Sequence, residues 1–208
     1  PDLAAAKGHP DATGPLGVFK SIDAGQTWSR LTALPNLSAS DLAMDPGDPD
    51  VLYAAIGRIF GSSENGIYKS VNGGATWAKL AGGLPSSDVG RISLAVAPSD
   101  SSRVYALVAR ESNSTGGNAS TLGAYRSDNS GASWTTLAIE NIQASYGWYL
   151  SVVSVHPTDP ETVFMGGVRL VRSTNGGSSW DTVTPPHVDL HAVAWDASGR
   201  LVAGDDGG

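Results

Sequence analysis

The chain has 208 residues, a formal net charge of −7 and no cysteine. This length can bury a substantial core, as one large β domain or two small ones. The acidic balance argues against nucleic acid as a partner, because phosphate binding needs a surplus of Lys and Arg. The lack of cysteine excludes disulfides and thiolate metal sites. No apolar run approaches the roughly 18 residues of a spanning helix, so no membrane span is predicted.

Composition favours an all-β fold. Charged residues make up only 16% of the chain, whereas it contains 26 Gly, 12 Pro and 6 Trp. This mixture is typical of many short strands joined by tight turns. No segment has the sustained apolar spacing of an amphipathic helix, so we expect almost no helix.

An octapeptide of the form Ser-x-Asp/Asn-x-Gly-x-Thr/Ser-Trp occurs repeatedly along the chain. A second signal precedes it, in which a Pro/Asp turn leads into a short apolar strand, at 45–53, 97–105 and 156–164. Both signals recur at intervals of roughly 50 residues, as expected for a repeat architecture. The four octapeptides are SIDAGQTW (21–28), SVNGGATW (70–77), SDNSGASW (127–134) and STNGGSSW (173–180).

Each repeat unit reads as four strands. In the third unit we predict strands at 91–97, 104–109, 123–127 and 133–139, the first two being nearly continuous apolar runs that suit strands covered on both faces. Four short antiparallel strands per unit, arranged radially, form a blade of a β-propeller. The sequence therefore predicts an all-β propeller of four-stranded antiparallel blades.

The register of the repeats places both ends of the chain inside blades. The predicted boundaries are a partial blade at 1–34, blades at 35–84, 85–140 and 141–185, and the start of a further blade at 186–208. A total of about 17 strands does not divide into four-stranded blades. We therefore favour part of a larger propeller, completed by further blades or another chain, over a four-bladed ring that leaves one strand over.

The residue types of the octapeptide predict a tight structural turn. The Asp or Asn carbonyl can accept backbone N–H groups, Gly permits a positive φ, the hydroxyls can complete a local network, and Trp can bury its ring against the hairpin. The predicted structural residues are Ser21, Asp23, Gly25 and Trp28; Ser70, Asn72, Gly74 and Trp77; Ser127, Asn129, Gly131 and Trp134; and Ser173, Asn175, Gly177 and Trp180.

These octapeptides resemble the Asp-box, or BNR, repeat. That repeat is shared by sialidases, xyloglucan-cleaving glycosidases, sortilin-type receptors, a photosystem assembly factor and many secreted bacterial propellers. The resemblance implies that each box joins the outer two strands of a blade, away from the central funnel, and is structural. Three of the boxes carry Asn in place of Asp, which argues against a metal role for them.

The segment 186–192 (PHVDLHA) is the first candidate for a functional site. If it is extended, His187, Asp189 and His191 project to one face, because strand side chains alternate. Two imidazoles and a carboxylate there could contact a ligand such as a polysaccharide, bind a divalent metal, or form a hydrogen-bonded cluster that fixes the start of a blade.

The segment 141–149 (NIQASYGWY) is the second candidate. Tyr146, Trp148 and Tyr149 cluster where a loop between blades should approach the funnel. Exposed aromatic rings beside Asn and Gln suit the apolar faces of sugars. The alternative is that two of the three rings lie in the core.

The function suggested by these features is a secreted, extracellular or periplasmic module that binds a glycan or a protein at its funnel, without a cofactor. A glycoside hydrolase is the first alternative, closer to the xyloglucan-cleaving group than to sialidases. The nearest match to the sialidase Arg-Ile-Pro segment is Arg58-Ile59-Phe60, which lacks the Pro, and no pair of catalytic carboxylates can be assigned. A scaffold within a larger extracellular complex is the second alternative.

Overall fold

The described part of the chain is built from β-strands. A computed structural model describes residues 15–113, 117–184 and 187–206, and these ranges contain sixteen strands and no helix. The all-β prediction is confirmed. Within these ranges there is also no helix of the length and apolar character needed to cross a membrane.

The strands form five antiparallel sheets, which we number in chain order. In the second, third and fourth sheets, neighbouring strands are also consecutive in sequence. The first sheet contains β1 (Phe19–Lys20) and β2 (Ser29–Arg30). The second contains β3 (Ala39–Met44), β4 (Val51–Ile56), β5 (Gly66–Val71) and β6 (Ala78–Lys79). The third contains β7 (Val89–Ala97), β8 (Asp100–Arg110), β9 (Thr121–Ser127) and β10 (Thr135–Leu137). The fourth contains β11 (Val152–Val155), β12 (Val163–Gly166), β13 (Leu170–Ser173) and β14 (Asp181–Val183), and the fifth contains β15 (Leu190–Trp195) and β16 (Leu201–Asp205).

Strand bounds differ from the sequence prediction. The first three strands of the third unit, Val89–Ala97, Asp100–Arg110 and Thr121–Ser127, are longer than predicted, and the last is shorter. The strand expected at 133–139 is only Thr135–Leu137, because the N–H of Ser133 is bound within the octapeptide and that of Trp134 by the carbonyl of Gly82. In the first unit, two of the three predicted strands are seen. The strand expected at its start, around residue 3, lies outside the described residues.

Hydrophobic clusters lie between successive sheets. The cluster between the second and third sheets combines Tyr53 and Ile67 with Val104 and Trp134, and similar clusters join the other neighbouring sheets. The second strands of the central sheets are therefore covered on both faces; β12, for example, is buried along its whole length. This explains why these strands are continuous apolar runs rather than alternating ones.

Each octapeptide closes the hairpin between the third and fourth strands of a sheet, or between the two strands of the first. In the second sheet, the Ser70 hydroxyl donates to Oδ1 of Asn72 (3.0 Å) and accepts the N–H of Gly74 (2.9 Å), while Oδ1 of Asn72 also accepts the N–H of Thr76 (2.9 Å). The other three octapeptides repeat these bonds. The fourth and fifth residues have positive φ in all four turns. At the fourth position this includes the non-glycine residues Ala24 and Ser130, for which positive φ is uncommon.

Exchange of Asp for Asn preserves the number of hydrogen bonds in the turn. In the first octapeptide the hydroxyl of Thr27 donates to Oδ2 of Asp23 (2.5 Å). In the second, the direction is reversed, and Nδ2 of Asn72 donates to the hydroxyl of Thr76 (2.8 Å). The third and fourth turns follow the second. The turn therefore needs a forked polar side chain rather than a negative charge.

Burial of the octapeptide Trp depends on the preceding sheet. Trp134 is buried among residues of the second sheet, and Trp77 and Trp180 are half-buried against the first and third sheets. The expectation that Trp28 buries its ring was wrong, because this side chain is 62% exposed. No sheet of the described residues precedes the first one, and Nε1 of Trp28 donates to the carbonyl of Gly25 within its own turn.

In each of the first three sheets, a basic side chain forms a hydrogen bond with the octapeptide of the next sheet. The residue before the octapeptide Ser donates to the carbonyl of the fourth octapeptide residue in the following sheet. The three such links, which we call latches, are Lys20 Nζ to Gly73 O (2.8 Å), Lys69 Nζ to Ser130 O (2.8 Å) and Arg126 Nη1 to Gly176 O (2.7 Å). The octapeptide thus stabilises its own hairpin and also accepts a hydrogen bond from the neighbouring blade.

We predict that Lys69→Met lowers the free energy of unfolding by about 1 kcal/mol, because a hydrogen bond to a charged donor between two sheets is lost. Urea unfolding measures this change. Arg172→Met is the matched control, since Arg172 holds the same position in the fourth sheet but contacts only the exposed carboxylate of Asp181 (3.4 Å). Its change should stay below about 0.5 kcal/mol. Equal losses in both variants would contradict the latch.

We predict that Asp23 gives the fold an acid-sensitive contribution. Hydrogen bonds from the side chain and backbone of Thr27 and from the hydroxyl of Ser21 lower the pKa of Asp23 from 3.8 to about 2. The resulting stability is complete above the ordinary pKa and disappears as the pH falls through about 2. Asp23→Asn keeps the turn without this titration. Between pH 5 and pH 2, the melting temperature of the wild type should therefore fall more than that of the variant. A difference that stays constant with pH would contradict this assignment.

Candidate functional site

The first strands of four sheets converge on one cleft. Sheet-on-sheet packing brings β3, β7, β11 and β15 together, and they enclose a space of about 260 Å³. We call this space the inner cleft. It is lined by Ser40 and Asp41 from β3; Arg91, Ser93 and Leu94 from β7; Ser151, Val152 and Val153 at β11; and His191, Ala192 and Val193 from β15.

Polar side chains connect the strands beneath the cleft. The Ser40 hydroxyl donates to the carbonyl of Ile92 (2.8 Å), and Oδ2 of Asp41 accepts the N–H of Leu94 (2.8 Å), so β3 is joined to β7. The Ser93 hydroxyl donates to the carbonyl of Ser151 (3.1 Å), which joins β7 to the start of β11. These bonds tie neighbouring blades together without backbone pairing, and they leave hydroxyl and carboxylate groups facing the cleft.

Arg91 brings a partly desolvated cation to the cleft. Its Nη1 donates to the carbonyl of Tyr149 (2.9 Å), whereas its Nε is buried without a hydrogen-bond partner. Burial lowers the pKa of Arg91, and the nearby charge of Asp41 opposes that shift. Since arginine remains protonated in proteins, the cleft contains a positive charge whose surroundings solvate it incompletely.

His191 lines the cleft and contacts an aromatic pair beside it. Nε2 of His191 lies 2.6 Å from Oδ1 of Asp206, and the imidazole meets the ring of Tyr149 edge to face at a centroid distance of 4.6 Å. The ring of Trp148 lies 5.3 Å from that of Tyr149. The Tyr149 side chain is 47% exposed and so offers ring surface to a ligand next to His191.

The structure separates the three residues predicted from the segment 186–192, of which Pro186 lies outside the described residues. Asp189 has a φ of 66° and His191 lies at a β-bulge, so the side chains do not alternate along an extended strand. Nδ1 of His187 is 2.7 Å from the carbonyl of Val188 in an exposed bend. The expectation of one shared face was wrong. Among the described residues, no group of three His, Asp or Glu side chains is placed to hold a metal ion.

The predicted aromatic cluster is only partly joined. Trp148 and Tyr149 contact each other, while Tyr146 makes no ring contact with either among the described residues. Tyr146 is 53% exposed and Trp148 is half-buried. The alternative that two of the three rings belong to the core was therefore wrong. Tyr149 is the member that reaches the inner cleft, through its carbonyl and its contact with His191.

Sequence reasoning missed Asp41 and Arg91. Both lie on first strands, β3 and β7, whose other residues are mostly apolar or small. A charged side chain within such a strand was the available signal, because first strands face the central axis. Asp206, the partner of His191, lies directly after β16.

Comparisons with known proteins support the fold and leave the family open. No family model matches the chain, and no curated protein does. Among solved structures, the chain is similar to a GH74 enzyme from Niastella koreensis, with 20% identity, a TM-score of 0.70, and coverage of 94% of this chain and 31% of that one. The GH74 xyloglucanase from Xanthomonas campestris gives 20% identity, a TM-score of 0.68, and coverage of 92% and 31%. The chain has a β-propeller fold.

Two further similarities agree with this fold. An ancestral GH74 enzyme gives 22% identity, a TM-score of 0.66, and coverage of 92% of this chain and 25% of that one. The structure of YCF48 bound to D1 peptide gives 13% identity, a TM-score of 0.54, and coverage of 83% and 50%. The chain thus spans about a quarter to a third of the length of the three GH74 enzymes.

We predict that Asp41 stabilises the contact between β3 and β7. Asp41→Ala removes the acceptor for the backbone N–H groups of Leu42 and Leu94, and should lower the free energy of unfolding by about 1–3 kcal/mol. Asp41→Asn retains one oxygen for two donors, so its loss should be smaller. Urea unfolding of both variants measures the difference. Unchanged stability in Asp41→Ala would contradict a stabilising role for this carboxylate.

Proposed function

We propose that this chain is a glycan-binding module of a secreted propeller with Asp-box repeats, and that the sugar occupies the inner cleft. The observation that carries the proposal is the exposed ring of Tyr149, which contacts His191 at the edge of the inner cleft, while the Tyr149 carbonyl accepts a hydrogen bond from Arg91. The tip of the same loop, which contains Trp148, widens this aromatic surface.

The chemistry of sugars fits this combination of groups. A pyranose ring has apolar C–H faces and a rim of hydroxyls, so it needs an aromatic surface with hydrogen-bonding groups around it. Tyr149 provides the surface, while Ser40 and Arg91 provide a hydroxyl and a guanidinium group on the cleft wall. A space of about 260 Å³ is slightly below the usual range for ligand pockets.

Glycoside hydrolysis is the second candidate, supported by the similarity to GH74 enzymes, one of them described as a xyloglucanase. Hydrolysis ordinarily requires two carboxylates flanking the scissile bond. Of the described residues that line the cleft, Asp41 is the one carboxylate, and its two oxygens accept the N–H groups of Leu42 and Leu94. Binding without cleavage therefore has the stronger support.

A protein ligand or a scaffold role are the remaining alternatives. YCF48, which shares the propeller fold, is described as bound to a D1 peptide, so a propeller of this general shape can accept a polypeptide. The exposed Tyr149 and Trp148 surface would also suit such a ligand. We favour a glycan because an exposed aromatic ring lies beside His191, at the edge of a cleft whose polar lining includes a guanidinium.

Glycan binding is tested with a glycan array, followed by calorimetric titration of the oligosaccharides that bind. Tyr149→Ala should weaken binding by about 3- to 10-fold, as expected for the loss of one aromatic contact. Phe19→Ala is the matched control, because Phe19 is an exposed aromatic side chain on β1, away from the cleft. Its affinity should equal that of the wild type.

Two outcomes would overturn the proposal. Failure of the wild-type protein to bind any glycan on the array would favour the protein-ligand or scaffold alternative. Release of reducing ends from a bound oligosaccharide, abolished by Asp41→Asn, would instead establish the hydrolase.

A further inference from the structure

Arg91 is a partly buried cation whose guanidinium forms no hydrogen bond with a carboxylate among the described residues. Among the described residues it forms no ion pair, and its one hydrogen bond joins Nη1 to the carbonyl of Tyr149. Arg103 shows the contrasting arrangement in the same sheet, with Nε 2.8 Å from Oδ1 of Asp128 and Nη1 bonded to Glu161. A charge removed from water without a partner is costly.

The charges around Arg91 leave room for an added anion. Asp41 is the nearby carboxylate, but its oxygens already accept the N–H groups of Leu42 and Leu94. On the other side of the cleft, His191 is bound to Asp206. Among the described residues, neither acidic side chain forms a hydrogen bond with the guanidinium, whose one bond goes to the carbonyl of Tyr149.

We propose that the sugar bound in the inner cleft carries an oxyanion, such as the carboxylate of a hexuronic acid, and that Arg91 recognises it. This inference rests on the proposed glycan function and names its ligand class. Nη1 has a second N–H beyond the one given to Tyr149, and Nη2 has two. A planar guanidinium can donate these to a carboxylate in a paired arrangement, while Tyr149 contacts the sugar ring.

Because the protein is acidic overall, Arg91 can attract an anion only at short range. A net charge of −7 repels anions at long range, but exposed charges more than about 8 Å apart are largely screened at physiological ionic strength. Attraction by Arg91 acts at contact distance in a partly desolvated cleft, where it is screened much less. The preference for an acidic sugar should therefore persist at 0.15 M salt, an ionic strength of about the physiological value.

The experiment compares three oligosaccharides of matched length, one neutral, one ending in glucuronic acid and one carrying a sulfate ester. Calorimetric titration measures the affinity ratio of each acidic sugar to the neutral one. The wild-type protein should prefer an acidic sugar by about 10-fold or more, as expected for hydrogen bonds to a charged group. The two acidic arms distinguish a carboxylate from a sulfate as the recognised group.

Variants assign the preference to Arg91. In Arg91→Gln the affinity ratio should fall to about 1. In Arg91→Lys, which keeps the positive charge but not the planar pair of N–H donors, the ratio should be intermediate. Arg110→Gln is the matched control, since Arg110 is exposed at the end of β8 and lies near Asp88 (3.6 Å); its ratio should match that of the wild type. Circular dichroism verifies that each variant is folded.

The possible failures are separable. Equal affinity of the wild-type protein for neutral and acidic sugars, or an unchanged ratio in both Arg91 variants, would overturn the role of Arg91 while leaving glycan binding intact. The absence of binding to all three sugars and to the glycan array would overturn the proposed function itself. Binding of an acidic peptide in place of any sugar would assign the cleft to a protein ligand and contradict both proposals.

Discussion

Packing of one blade on the next is the constraint on which the rest of the structure depends. The octapeptide acts on both sides of this contact. Its hydrogen bonds hold a hairpin of its own sheet, while its carbonyl receives Lys20, Lys69 or Arg126 from the sheet before. The ring of Trp134 then covers the hydrophobic face of that preceding sheet. With the outer strands fixed in this way, the first strands can converge on a common cleft.

The inner cleft is therefore a consequence of the repeat, although its chemistry is not repeated. Side chains at the first strands differ from sheet to sheet, so Asp41, Arg91 and His191 each occur once around the cleft. Repeated residues stabilise the turns, where every blade has the same requirement. Residues that occur once lie where the blades meet and where a ligand would contact several of them together. This division explains how a uniform fold can present a specific site.

Much of the fold could be predicted from the sequence, because each octapeptide contains its own hydrogen-bonding partners. Local spacing correctly indicated strands and hairpins, but the burial of Trp28 depends on a neighbouring sheet and could not be predicted. His191 was identified as a candidate, yet its contacts with Asp206 and Tyr149 follow from a bulge and from the left-handed backbone at Asp189. The position of Arg91 beside Tyr149 joins two different blades, which no local pattern reveals.

The central claim is that an exposed aromatic ring and an incompletely solvated arginine act together on one sugar. A crystal structure of the protein with a bound oligosaccharide that ends in glucuronic acid tests this most directly. The account predicts a sugar ring against Tyr149, with its carboxylate within hydrogen-bond distance of Arg91. A sugar bound elsewhere on the propeller, or one in the inner cleft with its carboxylate turned away from Arg91, would contradict it.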